Sequence, residues 1–138
     1  MGASKELIDG LNHALNREVS TMLRYLLQAA LIKGVQWEPV RAMYREEITD
    51  ELEHARYLAE KIAILGGTPT LNLDLTPPPS EPAAMLQRDI EEERQDVRHY
   101  LKMAELADRD NQIELKLRME DQAADEARHA EEMLRLLG

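Results

Sequence analysis

The sequence predicts an all-α protein, a four-helix bundle with one long crossover connection. Glycine, proline and short polar stretches divide the chain into four long segments of about 26 to 30 residues each. Each segment carries apolar residues at heptad spacing, the pattern of helices that pack into bundles. Two connections are only a few residues long, whereas the central one has about 15 residues and can cross the length of a bundle.

The first two predicted helices form one hairpin. The first covers about residues 4–33, with Ser4 as its candidate N-cap and Gly34 just beyond its end. The second covers about residues 39–65, opens on a proline and ends before Gly66-Gly67. Because the link between them is short, we expect the two helices to lie antiparallel and adjacent.

The last two predicted helices form a second hairpin after the proline-rich connection. The third helix covers about residues 82–108, with Ser80 as its candidate N-cap and a proline in its first turn. The fourth covers about residues 111–137. Scarce β-branched and aromatic residues also favour helices over sheets. The whole chain, 1–138, is therefore expected to form a single domain.

Each predicted helix has one apolar seam, and each seam is interrupted by a single glutamate. The glutamates are Glu18, Glu51, Glu93 and Glu126. The seam residues that lie at heptad spacing from these glutamates are Leu11, Tyr25, Ile32, Tyr44, Leu58, Leu65, Leu86, Tyr100, Ala107, Met119 and Met133. A glutamate is rarely buried without a partner, so four of them in buried seams indicate a shared site.

Two of the seam glutamates begin Glu-x-x-His motifs. Glu51 is followed by His54, and Glu126 is followed by His129. Residues three apart on a helix lie on one face, about 5 to 6 Å apart at Cβ, so a carboxylate and an imidazole can bind one metal ion together. One such motif is weak evidence in a chain this rich in glutamate, and two copies are stronger.

The two halves of the chain repeat with an offset of 75 residues. The coincident pairs are Glu18 and Glu93, Tyr25 and Tyr100, Asp50 and Asp125, Glu51 and Glu126, and His54 and His129. A pseudo-twofold axis should relate the two hairpins and bring the four glutamates and two histidines to one level of the bundle. Four like charges in an apolar interior need compensation, which two divalent cations supply. Carboxylate and imidazole ligands suit iron or manganese, with zinc as a possible non-redox occupant.

Several polar residues admit more than one interpretation. Asp50 and Asp125 either orient the imidazole of the opposite motif or are exposed helix charges. Tyr25 and Tyr100, our candidate catalytic residues, either bond a ligand or donate one electron, or simply fill the core. His13 and His99 break the repeat, and we interpret them as structural.

Composition narrows the class of protein. The chain has 138 residues, a net charge of −10 and no visible basic patch, so we expect no nucleic-acid partner. No apolar run is long enough to cross a membrane, and there is no signal-peptide pattern. The absence of cysteine excludes disulfides and thiolate metal sites, and the expected compartment is the cytoplasm.

These motifs resemble the bacterioferritin branch of the ferritin-like superfamily. The matching positions are Glu18 with Tyr25, the run from Asp50 to Ala55, Gly66-Gly67-Thr68-Pro69, Asp89-Ile90 with Glu93, Tyr100, and the run from Asp125 to His129. The resemblance implies two iron ions per chain, bridged by Glu51 and Glu126. It also implies that Glu18 with His54 completes one iron site and Glu93 with His129 the other.

The sequence departs from that family in two places. The haem-ligating methionine that follows the first bridging glutamate is replaced by Leu52, which has no donor atom and argues against haem. We also expect no counterpart of the short fifth helix of bacterioferritin, because the sequence ends at Gly138 as the fourth helix ends. The expected assembly is a homo-oligomer, either a dimer or a shell, rather than a cage of 24 subunits.

The resemblance predicts a ferroxidase that oxidises Fe(II) with oxygen or peroxide, in iron storage or detoxification. One alternative is a rubrerythrin-like peroxide reductase that uses the same site with an external electron donor. A second alternative is a non-catalytic helical interaction protein whose glutamates and histidines form a buried network. Ligand types alone do not separate iron from manganese, or oxygen from peroxide.

Overall fold

The computed structural model describes residues 2–138 and confirms the predicted all-α, four-helix fold with one long crossover. The helices are α1 (Lys5–Leu31), α2 (Glu38–Ile64), α3 (Pro82–Arg109) and α4 (Ile113–Leu137), with a single 3-10 turn, Val35–Trp37, before α2. Helix α1 packs along α2, and α3 packs along α4, while α1 also contacts α3 and α2 contacts α4. No helix within the described residues combines the length and apolar character needed to span a membrane.

The helix ends follow local chemistry. The Ser4 hydroxyl accepts a hydrogen bond from the Leu7 amide at 3.2 Å, as expected for an N-cap. The prediction for Ser80 is wrong, because Glu81 occupies the N-cap of α3 without a side-chain cap bond. Pro82 at the start of the helix forces the preceding residue into extended backbone, so the helix cannot begin earlier.

Helix α4 begins at Ile113, two residues later than the sequence predicts. The cause is a tight turn in which Asn111 adopts φ +58°, a left-handed conformation that asparagine tolerates. The amides of Asn111 and Gln112 bond back to the Asp108 and Ala107 carbonyls of α3. The backbone amides of the turn therefore satisfy the last carbonyls of α3, and the turn reverses the chain direction so that α4 runs antiparallel to α3.

The crossover after α2 is held along α1 by a ladder of small polar side chains. Asn12 donates to the Thr68 carbonyl at 3.0 Å, and Asn16 donates to the Thr70 carbonyl at 3.0 Å. The Ser20 hydroxyl accepts from the Asp74 amide at 3.0 Å. Since Asn12, Asn16 and Ser20 are four residues apart, they lie on one face of α1 and give the irregular crossover backbone its hydrogen bonds.

Two apolar clusters fill opposite ends of the bundle. One is built around Leu7, Leu11, Leu58, Ile62, Met103, Leu115 and Met119. The other is built around Tyr25, Ile32, Val40, Tyr44, Met85, Leu86 and Met133. The four seam glutamates occupy the layer between these clusters, so they are closed off from water above and below.

Candidate metal centre

The four seam glutamates and the two motif histidines converge in the buried layer between the apolar clusters. All six side chains are buried, and the glutamates are at most 1% exposed. Their donor atoms form two overlapping groups in which all atoms lie within 4.8 Å of one another. One group contains Glu18, Glu51, His54 and Glu126, and the other contains Glu51, Glu93, Glu126 and His129.

Two of the four glutamates belong to both donor groups, and the other two belong to one group each. The Nδ1 atom of His54 lies 3.4 Å from Glu18 Oε2 and 3.3 Å from Glu126 Oε1. The Nδ1 atom of His129 lies 3.4 Å from Glu51 Oε1, 3.4 Å from Glu126 Oε1 and 3.8 Å from Glu93 Oε2. Glu51 and Glu126 belong to both groups, whereas Glu18 and Glu93 belong to one group each.

The donor atoms fit a metal centre because most of them lack any other partner. Within residues 2–138, twelve buried side-chain nitrogen or oxygen atoms have no hydrogen-bond partner, and eight of them belong to this cluster. The eight are Glu18 Oε2, both oxygens of Glu51, His54 Nδ1, Glu93 Oε2, both oxygens of Glu126 and His129 Nδ1. Native proteins rarely leave so many buried polar atoms unpaired, and a set of converging carboxylates and imidazoles is what cations satisfy.

An aspartate from the opposite hairpin contacts each histidine. Asp125 Oδ2 lies 2.9 Å from His54 Nε2, and Asp50 Oδ2 lies 3.1 Å from His129 Nε2. A carboxylate at Nε2 favours a proton on that nitrogen, which leaves Nδ1 free to face the cluster. The contact geometry corresponds to the orienting role considered for these aspartates, although both also remain partly exposed.

The two repeat tyrosines donate hydrogen bonds to Glu93 and Glu18, the two glutamates that belong to one donor group each. Both bonds join one half of the chain to the other. The Tyr25 hydroxyl donates to Glu93 Oε1 at 2.5 Å, and the Tyr100 hydroxyl donates to Glu18 Oε1 at 2.6 Å. Each bond occupies the Oε1 atom of the glutamate. The Oε2 atom of Glu18 faces His54, and the Oε2 atom of Glu93 faces His129. Burial, followed by the nearby carboxylates, raises the pKa of both tyrosines well above their usual value, so both stay protonated donors.

The metal-free cluster holds protons in place of cations. Burial and then the neighbouring carboxylates raise the pKa of Glu51 and Glu126 well above the ordinary value. Burial also opposes ionisation of Glu18, but its close contacts with Glu51 and His54 and the hydrogen bond from Tyr100 outweigh burial and lower the pKa of Glu18. Because the raised pKa values keep Glu51 and Glu126 protonated without metal, metal binding is expected to release protons from this layer.

We expect the metal-free protein to lose thermal stability as the pH rises from about 6 to about 9. Burial opposes the charge on His129, but its contact with Glu93 and the nearby carboxylates raise its pKa to about 9, and burial raises the pKa of Glu47 to about 9. Groups with raised folded-state pKa values stabilise the fold at low pH and lose that contribution as the pH rises through the folded pKa. Circular dichroism melts of chelator-treated protein should show a fall of about 10 °C over this range.

Metal-loaded protein supplies the control for this pH series. Because cations replace the protons, its melting temperature should decline much less over the same range. A melting temperature that rises with pH in the metal-free protein would contradict the protonated state described for the cluster.

Two buried polar residues next to the cluster escaped the sequence interpretation. Glu47 is 5% exposed and Gln122 is 1% exposed, and both have unpartnered polar atoms. They lie four residues before Glu51 and Glu126 and coincide at the 75-residue offset. The sequence could have indicated both residues, because residues four apart lie on the same helix face and each of these two lies four residues before a seam glutamate at matching positions of the repeat.

His13 and His99 lie outside the cluster and contact each other. Their ring centroids are 4.8 Å apart in an edge-on arrangement, and His99 Nε2 lies 2.9 Å from the Gly10 carbonyl. Nearby, Arg24 pairs with the buried Asp89 at 2.9 Å, and Arg17 pairs with Asp96. These polar contacts join α1 to α3 and have no part in the metal-ligand set.

The bundle and its donor set together define the class of ferritin-like carboxylate proteins. The family model for the ferritin-like domain matches residues 8–138, and the chain belongs to this family. The predicted resemblance is confirmed at that level.

Relatives of this chain include ferritins from two bacteria. A bacterioferritin of Streptomyces coelicolor is 33% identical over 69 residues, covering 50% of this chain and 41% of the relative. A bacterial ferritin of Pseudomonas aeruginosa is 28% identical over 94 residues, covering 68% of this chain and 61% of the relative. The matches thus span roughly half of the lengths of these relatives.

Two solved structures share the fold over nearly the whole chain. A protein of Bacillus anthracis described as ferritin-like and diiron-carboxylate superposes with a TM-score of 0.91 at 40% identity, covering 97% of this chain and 96% of its own. A dodecameric thioferritin of Bacteroides fragilis gives a TM-score of 0.87 at 22% identity, covering 96% and 84% respectively. The second likeness concerns the fold alone.

Proposed function

We propose that this protein is a di-iron ferroxidase that oxidises Fe(II) with oxygen or peroxide, in iron storage or detoxification. The observation that carries the proposal is the convergence of eight unpartnered donor atoms in a layer closed by two apolar clusters. In this proposal Glu51 and Glu126 bridge two irons. Glu18 with His54 holds one iron, and Glu93 with His129 holds the other.

Charge and electron balance favour paired iron in such a layer. Two divalent cations balance four carboxylates, which removes the cost of burying those charges. Two Fe(II) ions supply two electrons together, so they reduce oxygen to hydrogen peroxide, or peroxide to two waters, with two protons taken up in either case. The protein contributes position, charge balance and a dry surrounding, and the metals contribute the redox chemistry.

The similar proteins support iron and an oligomer. The Bacillus anthracis protein is described as diiron-carboxylate, which favours iron over manganese or zinc. The Bacteroides fragilis protein is described as dodecameric, which favours a homo-oligomer here as well. Leu26, Leu27 and Leu31 of α1 and Leu52 of α2 are exposed large apolar residues that an assembly would cover.

Anaerobic titration of metal-free protein with Fe(II), followed by stopped-flow mixing with oxygen or peroxide, tests the proposal. We expect saturation at two irons per chain and rapid appearance of ferric absorbance. Zn(II), which binds the same ligand types but has no redox chemistry, should compete for the site and inhibit oxidation. Absence of Fe(II) binding would instead favour a helical protein with a buried polar network.

A further inference from the structure

Two pockets between α2 and α4 reach the metal cluster from different sides. The Glu47 pocket has a volume of about 450 Å³ and is lined by Met43, Glu46, Glu47, Asp50, Arg128 and His129, among others. The Gln122 pocket has a volume of about 370 Å³ and is lined by Asp50, Glu53, His54, Arg118, Gln122 and Asp125, among others. The 75-residue offset maps most of one lining onto the other, so the pockets are pseudo-symmetric partners.

The two pockets differ at their most buried polar position. The Glu47 pocket presents a carboxylate with one unpartnered oxygen, whereas the Gln122 pocket presents a neutral amide. Gln122 is 1% exposed, and neither its nitrogen nor its oxygen has a hydrogen-bond partner in the described chain. Buried amides almost always find partners, so this one is expected to bind a molecule that enters the pocket.

The chemistry of the amide restricts which molecule that is. A neutral amide offers a cation no charge balance, in contrast to the carboxylate of Glu47. Dioxygen is apolar and gains little from an N–H donor or a carbonyl acceptor. Hydrogen peroxide has two O–H donors and two acceptor oxygens, which match the donor and acceptor of one carboxamide. The cavity is also large enough for a molecule of this size.

We propose that Gln122 binds hydrogen peroxide in the pocket beside His54 and makes peroxide the preferred oxidant of this protein. The proposal rests on the di-iron function above. Peroxide approaches from the Gln122 side, its O–O bond breaks, and two Fe(II) each give up one electron. Two protons from solvent complete two molecules of water.

The first test compares Gln122→Met with Gln28→Met in the full-length protein loaded with two Fe(II). Gln28 is also fully buried, but it donates to Asp89 at 2.7 Å and is not a lining residue of either pocket, so it controls for the loss of a buried amide. We expect Gln122→Met to lower the second-order rate constant for peroxide about tenfold, the effect of losing one good hydrogen bond. The oxygen rate should stay within about twofold, and Gln28→Met should change neither rate.

A second pair of variants changes exposed residues at the mouths of the two pockets. Such substitutions disturb folding less than a substitution in the core does. Asp121 and Glu46 are exposed, line the Gln122 and Glu47 pockets respectively, and coincide at the 75-residue offset. Asp121→Trp should slow peroxide oxidation by narrowing the Gln122 pocket, whereas Glu46→Trp should leave the peroxide rate of iron-loaded protein unchanged.

The outcomes separate this proposal from the di-iron function. If Gln122→Met and Asp121→Trp leave the ratio of peroxide to oxygen rates unchanged while two irons still bind, the amide holds only water and the proposal is overturned. The di-iron function would stand in that case. If the parent protein binds no Fe(II), the proposed function itself fails.

Discussion

The Glu51→Gln substitution is expected to abolish paired Fe(II) binding and, at the same time, to stabilise the metal-free protein. Glu51 is fully buried, belongs to both donor groups, and has two unpartnered oxygens. An amide cannot replace a bridging carboxylate, so we expect iron affinity and oxidation rate to fall at least about a hundredfold. The measurements are anaerobic Fe(II) titration and stopped-flow oxidation.

The stabilisation has a different physical cause. Burial and neighbouring carboxylates hold the pKa of Glu51 well above its ordinary value, so folding near neutral pH requires this group to take up a proton. Glutamine is neutral at every pH and avoids that cost. We therefore expect the melting temperature of the metal-free variant to exceed that of the parent by about 5 °C near neutral pH, with a flatter pH dependence.

Glu60→Gln provides the matched control, because Glu60 lies on the same helix but is exposed. It should change neither iron binding nor stability. A Glu51→Gln protein that keeps two irons, or that melts earlier than the parent without metal, would contradict the assignment of Glu51 to the metal layer.

The candidate metal layer was accessible to sequence reasoning because each proposed ligand follows a helical spacing rule. Glu18 and Glu93 interrupt apolar seams, and the Glu-x-x-His spacing places His54 and His129 beside Glu51 and Glu126 on one helix face. The 75-residue repeat then relates the halves without knowledge of the fold. The structure places these six side chains in one buried cluster.

Other features depend on how helices cross, and the sequence does not encode that locally. Whether Gln122 is buried or solvated depends on how closely α2 and α4 approach beside it. The same holds for Asp89 and Asp96, whose burial against arginines of α1 was not predicted from the sequence. The cap of α3 was missed for a local reason, since Pro82 outweighed the side-chain preference of Ser80.

Substitution of the two aspartates that contact the histidines should weaken iron binding unequally. Asp125 is 33% exposed and is also held by Arg128, whereas the side chain of Asp50 is 58% exposed. Burial opposes the charge on Asp125, but the bonds to His54 and Arg128 outweigh it and hold its pKa below the ordinary value. Water can replace an exposed carboxylate more easily than a partly buried and fixed one.

Asp125→Asn is therefore expected to lower the affinity for the iron that His54 holds in our proposal by about 10- to 100-fold. Asp50→Asn should weaken the iron held by His129 by a smaller factor. Anaerobic calorimetric titration, in which two unequal sites give two resolved phases, measures both effects. Asp121→Asn, an exposed residue one turn before Asp125, should leave both phases unchanged.

The two aspartate variants also test whether the pseudo-twofold axis is a functional feature. If each substitution weakens a different iron, each hairpin supplies the carboxylate that orients the other hairpin's histidine, and neither half can bind iron tightly alone. Equal weakening of both irons by Asp125→Asn would mean that this carboxylate stabilises the layer as a whole, and the one-to-one assignment of Asp125 to His54 would be wrong.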